Sequence, residues 1–187
     1  NNIGMKDALK RGADYILVVN NDTVIDPDMI KNLLDVLERD EKIGVTVPKI
    51  YFAKGHEFHK DRYTKDELGK VFWYAGGSTD WDNVISIHRG VDEVDHGQYD
   101  TPSDIHWASA VCMIVRRSAW DEAGGVDERY SAFMEEVDLC WRMRKKGWRI
   151  RSAPASLVYH KWSKTWGKYP LRKRFLEHRN NLLMLVK

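Results

Sequence analysis

Three polar side chains, Asn20, Asn21 and Asp22, follow directly after an apolar run at residues 15–19. A short apolar run bounded by polar residues is typical of a strand buried on both faces, and side chains at the carboxyl end of such a strand face the crevice where α/β proteins bind ligands. A carboxylate with amide neighbours suits Mg²⁺ or Mn²⁺ when a substrate diphosphate supplies the remaining ligands. Asx residues also favour turns for local reasons, so both interpretations stay open at this point.

Three acidic side chains, Glu135, Glu136 and Asp138, begin a predicted helix further along the chain. The helix macrodipole favours acids there, and that effect alone can explain them. However, the apolar pair Phe133 and Met134 precedes them, which indicates that the carboxylates emerge from a buried segment at the rim of a pocket, where a carboxylate can act as a general base. Neighbouring helical side chains point in different directions, so Glu135 and Glu136 do not form the facing acid pair of glycoside hydrolases. One base beside one metal site favours group transfer over hydrolysis.

His160 ends an apolar run at residues 157–159, much as Asp22 follows the first one. A neutral imidazole there can complete a metal shell, although a single histidine is more often an ordinary hydrogen-bonded residue. Trp162 and Trp166 come next, in a chain with eight tryptophans. Aromatic faces pack against the C–H surfaces of sugars, and they also fill protein cores. We assign four others to the core first: Trp73, Trp107, Trp141 and Trp148.

The elements that carry these residues alternate between helix and strand. After the polar triplet, a helix is predicted with Asp26 as N-cap and Pro27 as its first residue, ending near Gly44. A strand follows over residues 45–52, where Pro48 indicates a sheet edge or a bulge. Further strands are predicted over residues 71–74, 85–89, 106–116, 148–153 and 157–159, and further helices over 118–124 and 135–146. This order favours an α/β sandwich with a mixed sheet.

The whole-chain properties are those of one globular domain. With 187 residues, 43% of them hydrophobic and 31% charged, the composition excludes disordered and collagen-like classes. No apolar run approaches the roughly 20 residues of a membrane-spanning helix. Cys112 and Cys140 lie among apolar neighbours without a second Cys or His at zinc-finger spacing, so we expect reduced core thiols and a cytoplasmic protein. The charged, aperiodic residues 53–70 are expected to form a mobile surface loop.

Charge divides the chain into two parts. Residues 161–187 hold eight Lys/Arg and one acid, whereas residues 1–160 are net acidic. We therefore expect residues 1–160 to form the main domain and residues 161–187 to form a basic amphipathic segment. An acidic main domain excludes nucleic acid as the partner. The basic segment fits an anionic membrane surface or a phosphate-bearing substrate.

Four motifs together resemble a known family. They are "NNIGMKDALKRGADYILVVNNDTVIDPDMI", "WASAVCMIVRRSAWDEAGGVDERY", "FMEEVDLCWRMRKKGWRI" and "LVYHKWS", in this order. The sequence resembles the family 2 inverting glycosyltransferases with the GT-A fold, especially the rhamnosyltransferase-like branch, over nearly the whole chain. The resemblance implies an α/β/α sandwich with a mixed, mostly parallel sheet, here truncated at its N-terminus.

The resemblance also implies roles for the two acidic motifs. "NND" stands at the position of the family's Asp-x-Asp motif, so Asp22 would bind a divalent cation, Mg²⁺ or Mn²⁺, with Asn20 in the first position. His160 matches a histidine that completes the metal site in some relatives. "MEEVD" stands at the position of the family's catalytic motif and makes Glu136 the base for the acceptor hydroxyl, with Glu135 as the alternative base.

Substrates follow from the same resemblance. The donor would be a nucleotide-diphosphate sugar, either a dTDP- or a UDP-sugar, and the acceptor a glycan or a lipid-linked glycan. The segments 73–77 and 107–113 match parts of the family that line the donor and acceptor pocket. The candidate substrate-binding residues are Asn21, Trp73, Gly76, Gly77, Trp107, Ser109, Asp138 and Trp162.

The basic segment places five apolar side chains near one helical face: Phe175, Leu176, Leu182, Leu183 and Val186. An interfacial helix of this kind would keep the protein at the inner face of a membrane, near a lipid-linked acceptor. The alternative is a helix packed on the main domain or on a second copy in a homodimer. Both interpretations stay open.

In the family, a nucleotide-binding unit comes before the position of Asn1. We therefore expect this chain alone to bind donor poorly and to show little transferase activity. A catalytically weak binding or assembly domain is the alternative function. A sugar nucleotidyltransferase would need a Gly-rich phosphate loop bearing Lys or Arg, which the sequence lacks.

Overall fold

The computed structural model describes residues 2–83, 85–162 and 170–187. The five helices of this part are α1 Asn2–Lys10, α2 Met29–Leu37, α3 Arg117–Ala123, α4 Glu135–Lys145 and α5 Pro170–Leu185. The eight strands described are β1 Tyr15–Val19, β2 Thr23–Ile25, β3 Ile43–Phe52, β4 Phe72–Tyr74, β5 Gly77–Asp80, β6 Ile85–His88, β7 Cys112–Arg116 and β8 Arg149–His160. A short 3₁₀ turn covers Lys60–Arg62.

One mixed sheet forms the centre of the fold. Its strand order is β1-β7-β3-β8-β2, with β4 paired to β3, while β5 and β6 form a separate hairpin. Every residue of β3 is buried, so both faces of the sheet centre are covered. Helix α2 packs on β3 and β8, while α3 and α4 pack on one another and on the same central strands. The predicted α/β class and the mixed sheet are confirmed.

The prediction that the sheet is mostly parallel is wrong at the level of neighbouring strands. Only β3 and β8 pair in parallel among the described strands, and the other pairs of this sheet are antiparallel. The β1–α2–β3 crossover does give two strands that run in the same direction. However, β7 returns much later in the chain and lies between them, antiparallel to both. Alternation of elements along the chain indicates strand direction but not which strands are neighbours.

Strand β1 is not buried on both faces as predicted, because it lies at the edge of the described sheet. The side chains of Leu17 and Val19 are 38% and 43% exposed. Pro48 marks a bulge and not an edge, since β3 is a central strand whose register against β8 shifts between Pro48 and Lys49. A residue without a backbone N–H is tolerated at such an irregularity.

Several element boundaries differ from the predictions. Helix α2 runs from Met29 to Leu37. It begins later than predicted because the Asp26 carboxylate accepts a hydrogen bond from the Asp28 N–H and forms a turn before the helix. The strand predicted over residues 106–116 is limited to β7. The two strands predicted at the end of the domain are one strand, β8, with an irregularity in its middle.

The segment 53–70, predicted to be a mobile surface loop, is anchored by a buried acid. Glu57 is 3% exposed and accepts hydrogen bonds from the backbone N–H groups of Gly55 and Gly69, both at 2.8 Å. The ring of Phe58 packs edge-on against that of Phe52, at 4.6 Å between centroids. The loop therefore closes on itself and attaches to β3.

Helix α5 packs on the main domain through a stripe of buried residues, Leu176, Asn180 and Met184. Its opposite face is exposed and consists of Leu171, Phe175, Leu182 and Leu185, followed by Val186. This arrangement supports the packed-helix interpretation; membrane contact and a homodimer stay predictions. Trp166 and part of the proposed basic segment lie outside the described residues. No helix within the described residues is long and apolar enough to cross a membrane.

Close packing against Trp107 requires a glycine at position 77. Gly77 O accepts the His106 N–H at 2.8 Å, and the Tyr74 hydroxyl donates to Trp107 O at 2.6 Å. A Cβ atom at Gly77 would lie 2.3 Å from the Trp107 ring and 2.5 Å from its carbonyl oxygen. The indole and the hairpin backbone are therefore in direct contact only because residue 77 has no side chain.

We expect Gly77→Ala to lower the free energy of unfolding by about 1–3 kcal/mol, because neither the indole nor the backbone can move away without cost. Gly4→Ala is the matched control: a Cβ there meets nothing within 4 Å, and alanine in a helix is favoured by up to about 1 kcal/mol. Urea denaturation of the three proteins measures the difference. Equal stability of Gly77→Ala and the unmodified chain would contradict this packing.

Candidate active site

A cavity of about 810 Å³ opens where β1, β8 and the start of α4 meet. It brings together nine of the residues predicted from the sequence: Asn20, Asn21, Asp22, Trp73, Ser109, Glu135, Glu136, His160 and Trp162. The two acidic motifs, which are far apart in the chain, therefore line one space.

The pairing of β2 with β8 places Asp22 beside His160. Thr23 lies opposite His160 in the antiparallel register, and the Lys161 N–H donates to Asp22 O at 2.9 Å. The polar triplet forms the turn between β1 and β2, in which the Thr23 hydroxyl donates to Asn20 O at 2.7 Å. Asp22 Oδ1 lies 3.3 Å from His160 Nε2. Local turn chemistry and long-range pairing together create this acid–histidine pair.

His160 is a buried, neutral imidazole. Burial lowers its pKa, and the Asp22 carboxylate opposes that shift in part. Its Nδ1 atom is buried and has no hydrogen-bond partner among the residues that the structure describes. The ring packs edge-on against Trp73, at 4.8 Å between centroids. A neutral imidazole is the form that binds a metal ion.

The side-chain donor atoms of Asp22, His160 and Asn20 fit a divalent cation that also binds substrate. Two ligands at a right angle on one ion, with bonds of about 2.1 Å, are about 3 Å apart, and Asp22 Oδ1 and His160 Nε2 are 3.3 Å apart. Asn20 lines the same cavity and offers an amide oxygen. Within the described residues, no three His, Cys, Asp or Glu side chains cluster as a metal site. The set suits an ion whose other ligands come from a diphosphate and water.

Glu135 and Glu136 form the acidic side of the cavity. Both residues are half-buried, but their Oε2 atoms are out of contact with solvent and have no hydrogen-bond partner in the described part of the chain. Burial raises the pKa of Glu135, and burial together with repulsion from Glu135 raises that of Glu136 well above the usual carboxyl range. Such a carboxylate accepts a proton more readily than an exposed one, as a general base must.

The backbone before these acids is strained. Phe133 and Met134 have φ angles of 67° and 70°, in the left-handed region that residues other than glycine rarely adopt. Each such residue costs on the order of 1–3 kcal/mol and persists only where the surroundings enforce it. Strain of this kind is concentrated at functional sites. The turn 132–134 fixes where α4 begins and hence where its first two side chains lie.

Four predicted site residues do not line the large cavity. Trp107 and Glu136 line an adjoining cavity of about 350 Å³, so Glu136 lies between the two spaces. Gly76 precedes β5 and packs against Arg89, Gly77 begins β5 and packs against the Trp107 indole, and the role of both in the structure is close packing. Asp138 is fully buried and pairs with Arg142 at 2.8 Å and Lys187 at 2.6 Å. Its observed contacts hold α4 in place and involve neither cavity.

Seven lining residues of the large cavity lie outside the predicted site residues and segments: Phe58, His88, Val91, Ala132, Phe133, Lys173 and Glu177. Phe58 belongs to the segment expected to be mobile, and its ring meets that of Trp162 edge-on at 4.8 Å between centroids. Lys173 and Glu177 are four residues apart on α5 and form an ion pair at 3.7 Å. That i, i+4 spacing is the only signal in the sequence for them, and it does not indicate which part of the protein the pair faces.

The fold is of the GT-A type. The structure superposes on the crystal structure of GalNAc-T7 with UDP, GalNAc and Mn²⁺ with a TM-score of 0.60 and 15% identity, over 85% of this chain and 30% of that one. Residues 3–174 match the family described as "Glycosyltransferase like family 2". The chain belongs to glycosyltransferase-like family 2.

Two curated relatives are rhamnosyltransferases by name. The N-acetylglucosaminyl-diphospho-decaprenol L-rhamnosyltransferase of Mycobacterium tuberculosis is 29% identical over 92% of this chain and 55% of its own length. Rhamnosyltransferase WbbL of Escherichia coli is 26% identical over 89% of this chain and 65% of its own length. The chain thus spans about half to two thirds of the length of these relatives.

Replacing Glu136 by glutamine should stabilise the protein increasingly as the pH rises. The folded protein holds a proton on this carboxyl at a pH where the unfolded chain has lost it, because burial raises the pKa in the folded state. Stability of the unmodified protein is therefore lost as the pH rises from the usual carboxyl pKa to the raised one, by up to about 1.4 kcal/mol per pH unit. Urea denaturation between pH 4 and 9 measures the difference between the two proteins.

Glu41→Gln, at an exposed position in the turn before β3, is the control for the loss of one negative charge. We expect its stability to follow that of the unmodified protein at every pH. A stability difference between Glu136→Gln and the unmodified protein that does not change with pH would contradict the raised pKa of this carboxyl.

Proposed function

We propose that this chain carries the catalytic site for transfer of a sugar from a nucleotide-diphosphate donor to a hydroxyl group of a glycan or lipid-linked acceptor, with inversion at the sugar carbon. The observation that carries the proposal is the single cavity in which the Asp22–His160 pair and the buried Glu136 carboxylate are both found. A metal-binding corner and a base in one space are the two parts that such a transfer needs.

The comparisons support this class of reaction. The family is one of glycosyltransferases, and two relatives are named as rhamnosyltransferases, one of them with N-acetylglucosaminyl-diphospho-decaprenol in its name. The GT-A neighbour was crystallised with UDP, a sugar and Mn²⁺. We therefore propose a dTDP- or UDP-sugar as the donor and a lipid-linked glycan as the acceptor, with a divalent cation as the cofactor.

Each residue has a defined part in the proposed reaction. Glu136 accepts the proton of the acceptor hydroxyl while that oxygen attacks the anomeric carbon of the donor. The bond from the anomeric carbon to the diphosphate breaks with its electron pair on the diphosphate, so a single displacement inverts the centre. Asp22, His160 and Asn20 would hold the cation, which neutralises the charge of the leaving diphosphate when it is bound.

Glu136 suits the role of base better than Glu135. Both carboxylates line the large cavity, but only Glu136 also lines the adjoining one. A base between two spaces can face a donor in one and an acceptor in the other. Glu136 is also the carboxyl whose pKa is raised by two causes, burial and the neighbouring Glu135, which brings it nearer to neutral pH, where general bases work best.

We expect Glu136→Gln to lower the rate constant of transfer by about 10²- to 10⁴-fold, because a general base contributes on that order. Glu135→Gln is the matched control and should reduce it by less than about tenfold. Both variants are made in the chain extended at its N-terminus by the nucleotide-binding unit expected from the family. Mass spectrometry follows transfer from dTDP-L-rhamnose or a UDP-sugar to a short-chain N-acetylglucosaminyl-diphospho-lipid, and NMR of the product reports the anomeric configuration. Full activity of Glu136→Gln, or retention of configuration, would contradict the mechanism.

Donor binding separates the transferase from a binding or assembly domain. With the chain extended at its N-terminus by the nucleotide-binding unit expected from the family, calorimetry with UDP and dTDP should show binding that is strengthened by Mn²⁺. Asp22→Asn should weaken this Mn²⁺-dependent part by about 10- to 100-fold through loss of a charged ligand. Asp7→Asn, at an exposed position of α1, is the matched control. Absence of heat with either nucleotide would favour the binding-domain alternative, and an unchanged Mn²⁺ effect in Asp22→Asn would exclude that residue as a ligand.

A further inference from the structure

The side-chain amide of Asn180, on α5, is fully buried. Its Nδ2 group donates two hydrogen bonds, to Ala132 O at 2.6 Å and to Phe133 O at 2.7 Å. Its Oδ1 atom accepts hydrogen bonds from Arg179 Nε at 2.9 Å and Nη2 at 2.7 Å. The guanidinium thereby fixes the orientation of the amide, with the NH₂ group toward the turn.

The two carbonyl groups that Asn180 binds come directly before α4. The first backbone hydrogen bond of that helix runs from the Asp138 N–H to Met134 O. The carbonyls of Ala132 and Phe133 therefore lie outside the helical hydrogen-bond pattern and need donors from elsewhere when they are buried. One primary amide has two N–H donors close together, and this suits two successive carbonyls.

The same turn contains the strained residues and leads into the acids. Phe133 and Met134 both have positive φ angles, and Glu135 and Glu136 follow them at the first helical positions. Ala132 and Phe133 also line the large cavity. Hydrogen bonds from Asn180 act on the segment whose conformation sets the direction of the two carboxylates.

We propose that Asn180 is a positioning residue for Glu136, holding the turn 132–134 in the conformation that keeps this carboxylate buried between the two cavities. The effect of this positioning on catalysis depends on the function proposed above. The carboxyl-terminal helix, whose exposed face suggested a membrane-binding segment, thus takes part in the site through its buried face.

Other groups near Glu136 could also respond to a change in α5. Those that act on it or share the smaller cavity are Glu135, Cys140, Tyr74, His88, Glu177 and His178. Asp22, His160 and Lys173 line the larger cavity with it. Lys173, Glu177 and His178 belong to α5 and would move with that helix, so a test must separate loss of the Asn180 hydrogen bonds from general loosening of α5.

Asn180→Leu removes both donors at similar side-chain volume, and Leu176→Ala is the matched control. Leu176 is buried on α5 one turn earlier, and its truncation loosens the helix while the amide stays. Carbon-detected NMR of the full chain follows the titration of Glu136, with the resonance assigned through Glu136→Gln. In Asn180→Leu we expect the midpoint to fall toward the ordinary carboxyl value by about 1 pH unit or more, because the relaxed turn exposes the carboxylate.

The midpoint in Leu176→Ala should remain near that of the unmodified protein. Equal shifts in the two variants, or no shift in Asn180→Leu, would overturn the proposal. If Asn180→Leu does not fold, the unmodified protein gives a second test. The Asn180 NH₂ protons should then exchange with solvent much more slowly than those of Asn181, and their chemical shifts should change as Glu136 titrates. Rapid exchange or chemical shifts independent of Glu136 would also overturn it.

Transfer kinetics give a separate readout. Asn180→Leu should lower kcat by about tenfold or more through misplacement of the base, with KM for the donor unchanged, and Asn180→Gln, which retains the NH₂ donors, should recover part of the loss. The titration requires no substrate. A shifted Glu136 midpoint, together with no sugar transfer by the chain extended with its expected nucleotide-binding unit, would therefore contradict the proposed function and leave the positioning role in place.

Discussion

The parallel ladder between β3 and β8 is the interaction on which the rest of the structure depends. Nine residue pairs connect Ile43–Phe52 with Arg149–His160, and this ladder brings a strand from the second half of the chain into the sheet centre. At its carboxyl end β8 carries His160 and pairs with β2, so the first polar motif is held beside the imidazole. On the other side of β3, β7 and then β1 continue the sheet, and β1 ends at Val19, directly before Asn20. Asp22 and His160 are thus both held in place by this one pair of strands.

The Asp22–His160 pair and Glu136 are held in place by different kinds of structure. Asp22 and His160 meet through the backbone pairing of β2 with β8, in which hydrogen bonds repeat along the two strands. Glu136 is held by an irregular turn in which two residues adopt positive φ angles and a side chain from another helix binds the carbonyls. A rigid sheet edge suits binding of a charged group, and a turn held by tertiary contacts suits a carboxylate that must remain desolvated. The cavity lies between these two kinds of support.

Local patterns in the sequence predict part of this arrangement well. The apolar run before Asn20 defines β1 to the residue, and the acidic cluster marks the start of α4, because the boundaries of strands and helices depend on near neighbours in the chain. The long-range pairings follow from no local pattern: β7 separates β1 from β3, and β2, three residues long, was not predicted at all. Phe58 was missed because the burial of Glu57, which orders its loop, depends on two glycine N–H groups brought together by the fold.

The spacing of Leu176, Asn180 and Met184 on α5 has a consequence for evolution. These three residues recur every fourth position and are buried, whereas the opposite face of the helix is exposed. Selection for a correctly placed base would then act on one side of the helix, and drift would act on the other. In an aligned set of homologous chains, variability along this helix should rise and fall with a period of about 3.6 residues, and its minimum should fall on the amide.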